Sequence, residues 1–181
     1  MISLKDFLLD EISKSNMRKL ANKANETPAI ITELWDYTNG TDDVLNWRAA
    51  WAMKAIWEQN PHLIEPYIEP MIRALPKLNK DGVKREFLRM IQEYPLPENE
   101  ALLGILLDCC FLWLATPAEP IAVKIHSMVI LLEISKKIPE INRELIHTVE
   151  VAMQEGSAGI VNRGRKTLIA LQSKSGKMRR V

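Results

Sequence analysis

The sequence predicts an all-α fold, and three observations carry that reading. Leu, Ile, Ala, Lys and Glu dominate a 181-residue chain that holds only three phenylalanines and three tyrosines, a composition weighted toward helix formers. Alternation of apolar and polar residues, the mark of a half-buried strand, is scarce. Prolines, glycines and N-capping residues divide the chain into about ten segments of helical length joined by short turns. At 47% hydrophobic and 26% charged residues the composition is that of an ordinary globular protein, and the length suits one domain with a real core.

The elements follow from the punctuation. Ser3 caps a first helix expected to reach about Ile12, with Asp6 at the capping-box position. A second, short helix is expected over roughly Asn16 to Ala24. Thr27 and Pro28 start a third, since proline at the first helical position gives up an N–H that lacks a partner anyway, and Gly40 stops it. Asp42 and Asp43 open a fourth, which lasts to Asn60 ahead of Pro61. Later starts fall at Pro61 or Pro66, Asp81, Pro97, Thr116 with Pro117, Pro139, and Ser157, with Gly156 closing the helix before Ser157.

These starts recur. Trp47, Val83, Val123 and Val161 form a column with separations of 36, 40 and 38 residues. A basic residue follows the first three directly (Arg48, Lys84, Lys124) and slips by one in the fourth, to Arg163. The proline opening the next helix comes 14, 14 and 16 residues after the column residue, at Pro61, Pro97 and Pro139. A helix, a proline turn and a second helix every ~40 residues is the period of paired-helix solenoids. A compact bundle has no reason to keep a proline break at a nearly fixed phase.

On that spacing the chain resembles HEAT-type repeats, over about residues 43–172. The resemblance implies an α-solenoid, a right-handed superhelix of about four to five antiparallel helix pairs. Residues 1–172 would form one domain, with 1–40 as N-terminal capping helices, 41–172 as HEAT-like pairs, and 173–181 as a basic, flexible tail. A cap is expected because an end repeat otherwise exposes its apolar face.

The net charge of +1 conceals an asymmetry. Residues 161–181 carry seven basic side chains and no acid, and the rest of the chain sums to −6. Such a segment suits phosphates or acidic surfaces, or is simply a solvated end. The adjacent Cys109 and Cys110 sit in an apolar run, as buried free thiols do. The N-terminus has charges where a signal peptide would be apolar, so a cytoplasmic, reducing location is expected. The most apolar run, Ala101 to Ala115, is too short to span a bilayer and carries Asp108 at its middle, so no membrane partner is expected.

Three of the five tryptophans, Trp47, Trp51 and Trp57, lie within eleven positions. Trp47 shares its column with core-type valines, so it reads as a filler of the seam between pairs. Trp51 aligns with Phe87, Ser127 and Arg165, a position drifting from apolar to polar, and is the better candidate for contacting a partner. The basic column reads either as a ladder paired with nearby acids (Asp42, Asp43, Asp81, Glu119) or as a stripe that tracks a phosphate backbone. The run after Pro97 is apolar on nearly every face and is expected to be buried; the alternative is a trough for a partner's helix.

Signs of catalysis are few. HExxH, CxxC and GxGxxG motifs are absent, and His62, His126 and His147 lie in different segments. Neither a cofactor nor a metal is expected, nor is a small-molecule substrate. Gly159 to Thr167, GIVNRGRKT, approaches a phosphate-binding loop but has an extra Arg165 and follows a helix, not a strand. Asp108, with Trp51 and Trp113, invites comparison with alkylpurine DNA glycosylases, in which aromatics and an acid line a groove in a HEAT-like fold, although Asp108 and Trp113 are five residues apart and do not share a helical face. The function expected is therefore a non-catalytic intracellular binding or scaffold module for a protein partner. The alternative is nucleic-acid binding through Lys84, Lys124, Arg163, Arg165, Lys166 and the basic tail; Trp51 and these five cations are the candidate partner contacts.

Overall fold

The computed structural model describes residues 3–10, 13–154 and 156–178, with side chains described as far as Gln172. Among these residues there are ten α-helices and no strand: α1 (Leu4–Leu9), α2 (Lys14–Glu26), α3 (Ala29–Thr38), α4 (Asp43–Gln59), α5 (Glu65–Ala74), α6 (Asp81–Ile91), α7 (Glu100–Ala115), α8 (Ile121–Lys137), α9 (Asn142–Gln154) and α10 (Ala158–Met178). Short 3-10 turns at Pro61–Leu63, Leu75–Lys77 and Pro139–Ile141 join some of them. No described helix is long and apolar enough to cross a membrane.

The caps explain most of the boundaries. Ser3, Ser13, Asp42 and Asn99 each accept hydrogen bonds from first-turn amides with their side chains, satisfying donors that the helix itself cannot. Several expected boundaries shift. The first helix ends at Leu9, and Ile12 lies outside the described residues. Thr116 does not open α8: it ends α7, and its hydroxyl donates back to the Leu112 carbonyl at 2.7 Å, while Pro120 precedes α8. The start placed at Pro97 belongs to Asn99. At Pro61 and Pro139 the proline opens a 3-10 turn before the helix proper. Backbone α10 runs past the expected tail boundary to Met178; residues 179–181 lie outside the described ones.

The chain divides into two compact units, residues 1–94 and 95–181. In the first, α4 is the central element and packs against α1, α2, α3 and α6. Its sequence permits this. Ala49, Ala50 and Ala52 are fully buried and let neighbours approach closely, while Met53 and Ile56 fill the space between them. Gly82 lets α6 meet α4: a Cβ there would lie 2.6 Å from Trp47 Cβ. Trp35 of α3 stacks on Phe87 of α6 (5.8 Å, 13°) and touches Tyr67 of α5 (5.6 Å, 49°), tying three helices together. Burying each large side chain contributes about 2–3 kcal/mol.

In the second unit α7 packs on α8 and α9, and α10 on α8 and α9. Leu106, Cys110, Met128, Leu131, Ile134, Leu145 and Val149 form its core.

Burial corrects the column expected from sequence. Leu45, Val83, Val123 and Ile160 occupy equivalent places in α4, α6, α8 and α10, each 5% exposed or less, at separations of 38, 40 and 37 residues. Val83 and Val123 stay in the column. Trp47 and Val161 are only half-buried and fall out of it. The two-residue slip at Trp47 is about 200° on a helical wheel, which exchanges inside for outside. Trp47 therefore corresponds to Arg85, and Trp51 to Arg89.

Candidate functional site

The tryptophan cluster separates into two environments. Trp57 is buried; its indole N–H donates to Glu93 at 2.6 Å and its ring meets Tyr94 edge-on. Trp47 and Trp51 are half-buried and stack on each other, with centroids 6.1 Å apart and planes 17° from parallel. The Arg48 guanidinium lies 5.6 Å from the Trp47 ring centre, and Nη1 donates to the carbonyl oxygens of Leu8 (2.6 Å) and Asp10 (3.2 Å), so this arginine ties the end of α1 to α4. The expected local ladder does not hold for Arg48, whose Nη1 donates to backbone instead of to a nearby acid. Charge pairs instead join α4 to α6 and the residues flanking it: Asp43 with Lys80, Lys54 with Glu93 at 2.9 Å, and Glu58 with Arg89 at 3.5 Å.

Trp51 faces a cleft of about 420 Å³ shared by Lys14, Met17 and Arg18 of α2, Glu58 of α4 and Arg89 of α6. Glu86, only 1% exposed, accepts from Arg85 Nε and Arg89 Nη1, both at 2.8 Å, and holds the two arginines on the surface beside the stacked indoles. Basic side chains do share a face with Trp51, but they are not the ones nominated from sequence. The signal for them lay in the burial period: Arg85 and Arg89 occupy the outward positions that Trp47 and Trp51 occupy in α4.

The nominated cations are dispersed. Lys84 is 7% exposed and does not present its charge to a ligand. Lys124 Nζ donates to the Pro117 carbonyl at 3.2 Å. Arg163 is half-buried, whereas Arg165 and Lys166 are exposed on α10 with Ile169 beyond them. Lys174, Lys177, Arg179 and Arg180 of the basic tail lie outside the described side chains.

The expectation that α7 is buried all round is corrected. Leu102, Leu106, Cys110 and Trp113 face the core, while Asp108 and Leu112, the latter 63% exposed, lie on an open face. A groove of about 480 Å³, to which α7 contributes Leu114 and Ala115, lies among α7, α8, α9 and the start of α10. Ala115, Ile121, His147 and Val151 line it, and Ile121 and Val151 are each about half exposed. Lys124 and Glu119 supply charge at one side.

Asp108 and Trp113 sit on opposite sides of α7, one exposed and one buried, so they do not line a common groove. The segment Gly159 to Thr167 lies inside α10 and makes no phosphate-binding loop. Cys109 and Cys110 are free and buried, and burial pushes the Cys110 thiol pKa far above its usual value. Among the described residues no group of three His, Cys, Asp or Glu side chains is arranged to hold a metal ion.

A family model described as a HEAT repeat domain matches residues 4–171. No curated protein and no solved structure matches the chain.

Proposed function

Because the chain belongs to the HEAT repeat domain family, we propose that it is a binding module that takes a protein partner on the open apolar face of α7 and α9. The observation that carries this reading is the exposure of Ile121 and Val151, which line the groove in the second unit, with Leu112 exposed on α7. Large apolar side chains gathered beside a concavity are unfavourable in water, and covering each contributes about 1.5–3 kcal/mol. Helix-in-groove recognition uses such a trough, with Lys124, Glu119 and His147 at its edge to orient the incoming segment. Residues 1–40 act in this reading as a cap on α4, and the buried thiols fit a reducing, cytoplasmic compartment. The module works by binding, without catalysis.

A photo-crosslinking side chain placed at Leu112 or Val151 tests this in cells. A discrete crosslinked protein is expected at both positions, absent from a probe at Ile169 and lost on Ile121→Asp. Identical products at all three positions would overturn the assignment. The second reading, nucleic acid held by Arg165 and Lys166, rests on their exposure along α10. It requires affinity that falls log-linearly with salt and disappears in the Arg165→Glu/Lys166→Glu variant.

A further inference from the structure

We infer that the cleft floored by Trp51 binds a short acidic peptide segment carrying one aromatic or large apolar residue. This site is in the first unit and is separate from the α7–α9 groove.

Three observations lead to it. First, the described residues lining the cleft carry three cations, Lys14, Arg18 and Arg89, against one acid, Glu58. Arg89 is committed to Glu86 and Glu58, and Glu58 also lies 3.5 Å from Lys54. The excess comes from Lys14 and Arg18, both exposed and both lining the cleft. They stand at i and i+4 of α2, where like charges destabilise a helix, and α2 carries four cations against a single acid at its last residue, Glu26. Second, the floor is a half-buried indole whose partner ring, Trp47, backs it in a near-parallel stack. A rigid aromatic pair offers a large contact area at little entropic cost. Third, Arg89, the α6 residue of the cleft, is held by the buried Glu86 carboxylate, so this part of the wall is set before a ligand arrives.

Charge distribution decides between an acidic peptide and a nucleic acid. Residues 1–94 contain 14 acids and 13 bases, so the unit as a whole is slightly negative. The unit as a whole therefore has no net positive charge with which to hold a long polyanion. At about 420 Å³ the cleft has room for two or three side chains, not a track for successive phosphates. Two carboxylates for Lys14 and Arg18 and one ring against Trp51 meet its charge, size and polarity.

The test is a fluorescence-anisotropy titration of the full chain with a labelled heptapeptide of aspartate and glutamate around a central phenylalanine. The same peptide with lysines for the acids, and a twelve-nucleotide single-stranded oligothymidylate, serve as comparisons. Saturable binding of the acidic peptide is expected, weakened at least tenfold by Lys14→Glu/Arg18→Glu, with no binding of the lysine peptide. Both substituted positions are exposed, so the variant's melting curve should match the parent's. Absent binding, or binding unchanged in the variant, overturns the inference. So does tighter binding of the oligonucleotide through the same two residues. The variant should leave crosslinking from Leu112 and Val151 intact, which separates failure here from failure of the groove reading.

Discussion

The meeting of α4 and α6 makes an unusual prediction about glycine. Gly82→Ala should destabilise the protein, while Gly104→Ala should stabilise it. At Gly82 the new methyl lies 2.6 Å from Trp47 Cβ and 3.4 Å from its Cγ. Comfortable carbon contacts are ~3.5–4 Å, so α4 and α6 must part by roughly 1 Å at this end. The obstructing atom is a Cβ, fixed to the backbone, and no rotamer change can clear it. Overpacking of this kind costs about 1–3 kcal/mol, offset by at most ~1 kcal/mol for alanine's better helix propensity. At Gly104 a Cβ meets nothing within 4 Å, so only the propensity gain of ~0.5–1 kcal/mol remains. For a chain of this size 1 kcal/mol shifts Tm by ~2–4 °C. Differential scanning calorimetry should show Gly82→Ala melting about 2–6 °C lower and Gly104→Ala about 1–4 °C higher. Equal stabilisation by both would refute the close approach of α4 and α6.

Other predictions are more local. Replacing Arg48 with Met removes two charged hydrogen bonds to α1, worth about 1.5–3 kcal/mol each; because a six-residue helix cannot stand alone, hydrogen exchange over residues 4–9 should accelerate at least tenfold while α6 is unchanged. Tyr37 donates to Glu33 at 2.7 Å, and this bond, then burial, raises its pKa from 10.0 to about 12. The neutral phenol is the form favoured on folding, so its stabilising contribution is complete below pH 10 and fades as pH rises through about 12; ultraviolet titration should show Tyr37 ionising late and moving toward 10 in Glu33→Gln. The Cys110 thiol, fully enclosed and with its pKa raised chiefly by burial, should resist iodoacetamide in the native protein and react on unfolding, as read by mass spectrometry; rapid native alkylation would contradict its placement.

Much of the fold was legible because helix ends are written locally. Ser3, Asp42, Pro28 and Gly156 marked real boundaries through capping and proline geometry, which need no knowledge of neighbours. The ~40-residue period was legible for the same reason. Facing was less so. The column was aligned on the basic residue that follows each member, and a two-residue slip at Trp47 turned an outward position inward. The site suffered more. Lys84 looks like any surface lysine in sequence, yet the packing of α6 buries it. Lys14 and Arg18 drew no notice because their cleft is made by α2 and α4, distant in sequence. The open face of α7 could not be read from an apolar run, since which sides are covered depends on where α8 and α9 lie.

One burial register repeats through α4, α6, α8 and α10, while Trp51, Leu112 and Val151 remain open on their own faces. Hydroxyl-radical footprinting with side-chain-resolved mass spectrometry tests it directly. Protection is expected at Leu45, Val83, Val123 and Ile160, with strong oxidation at Leu112 and measurable oxidation at Trp51 and Val151. Oxidation of the four register positions, or protection of Leu112 in the isolated protein, would contradict the account.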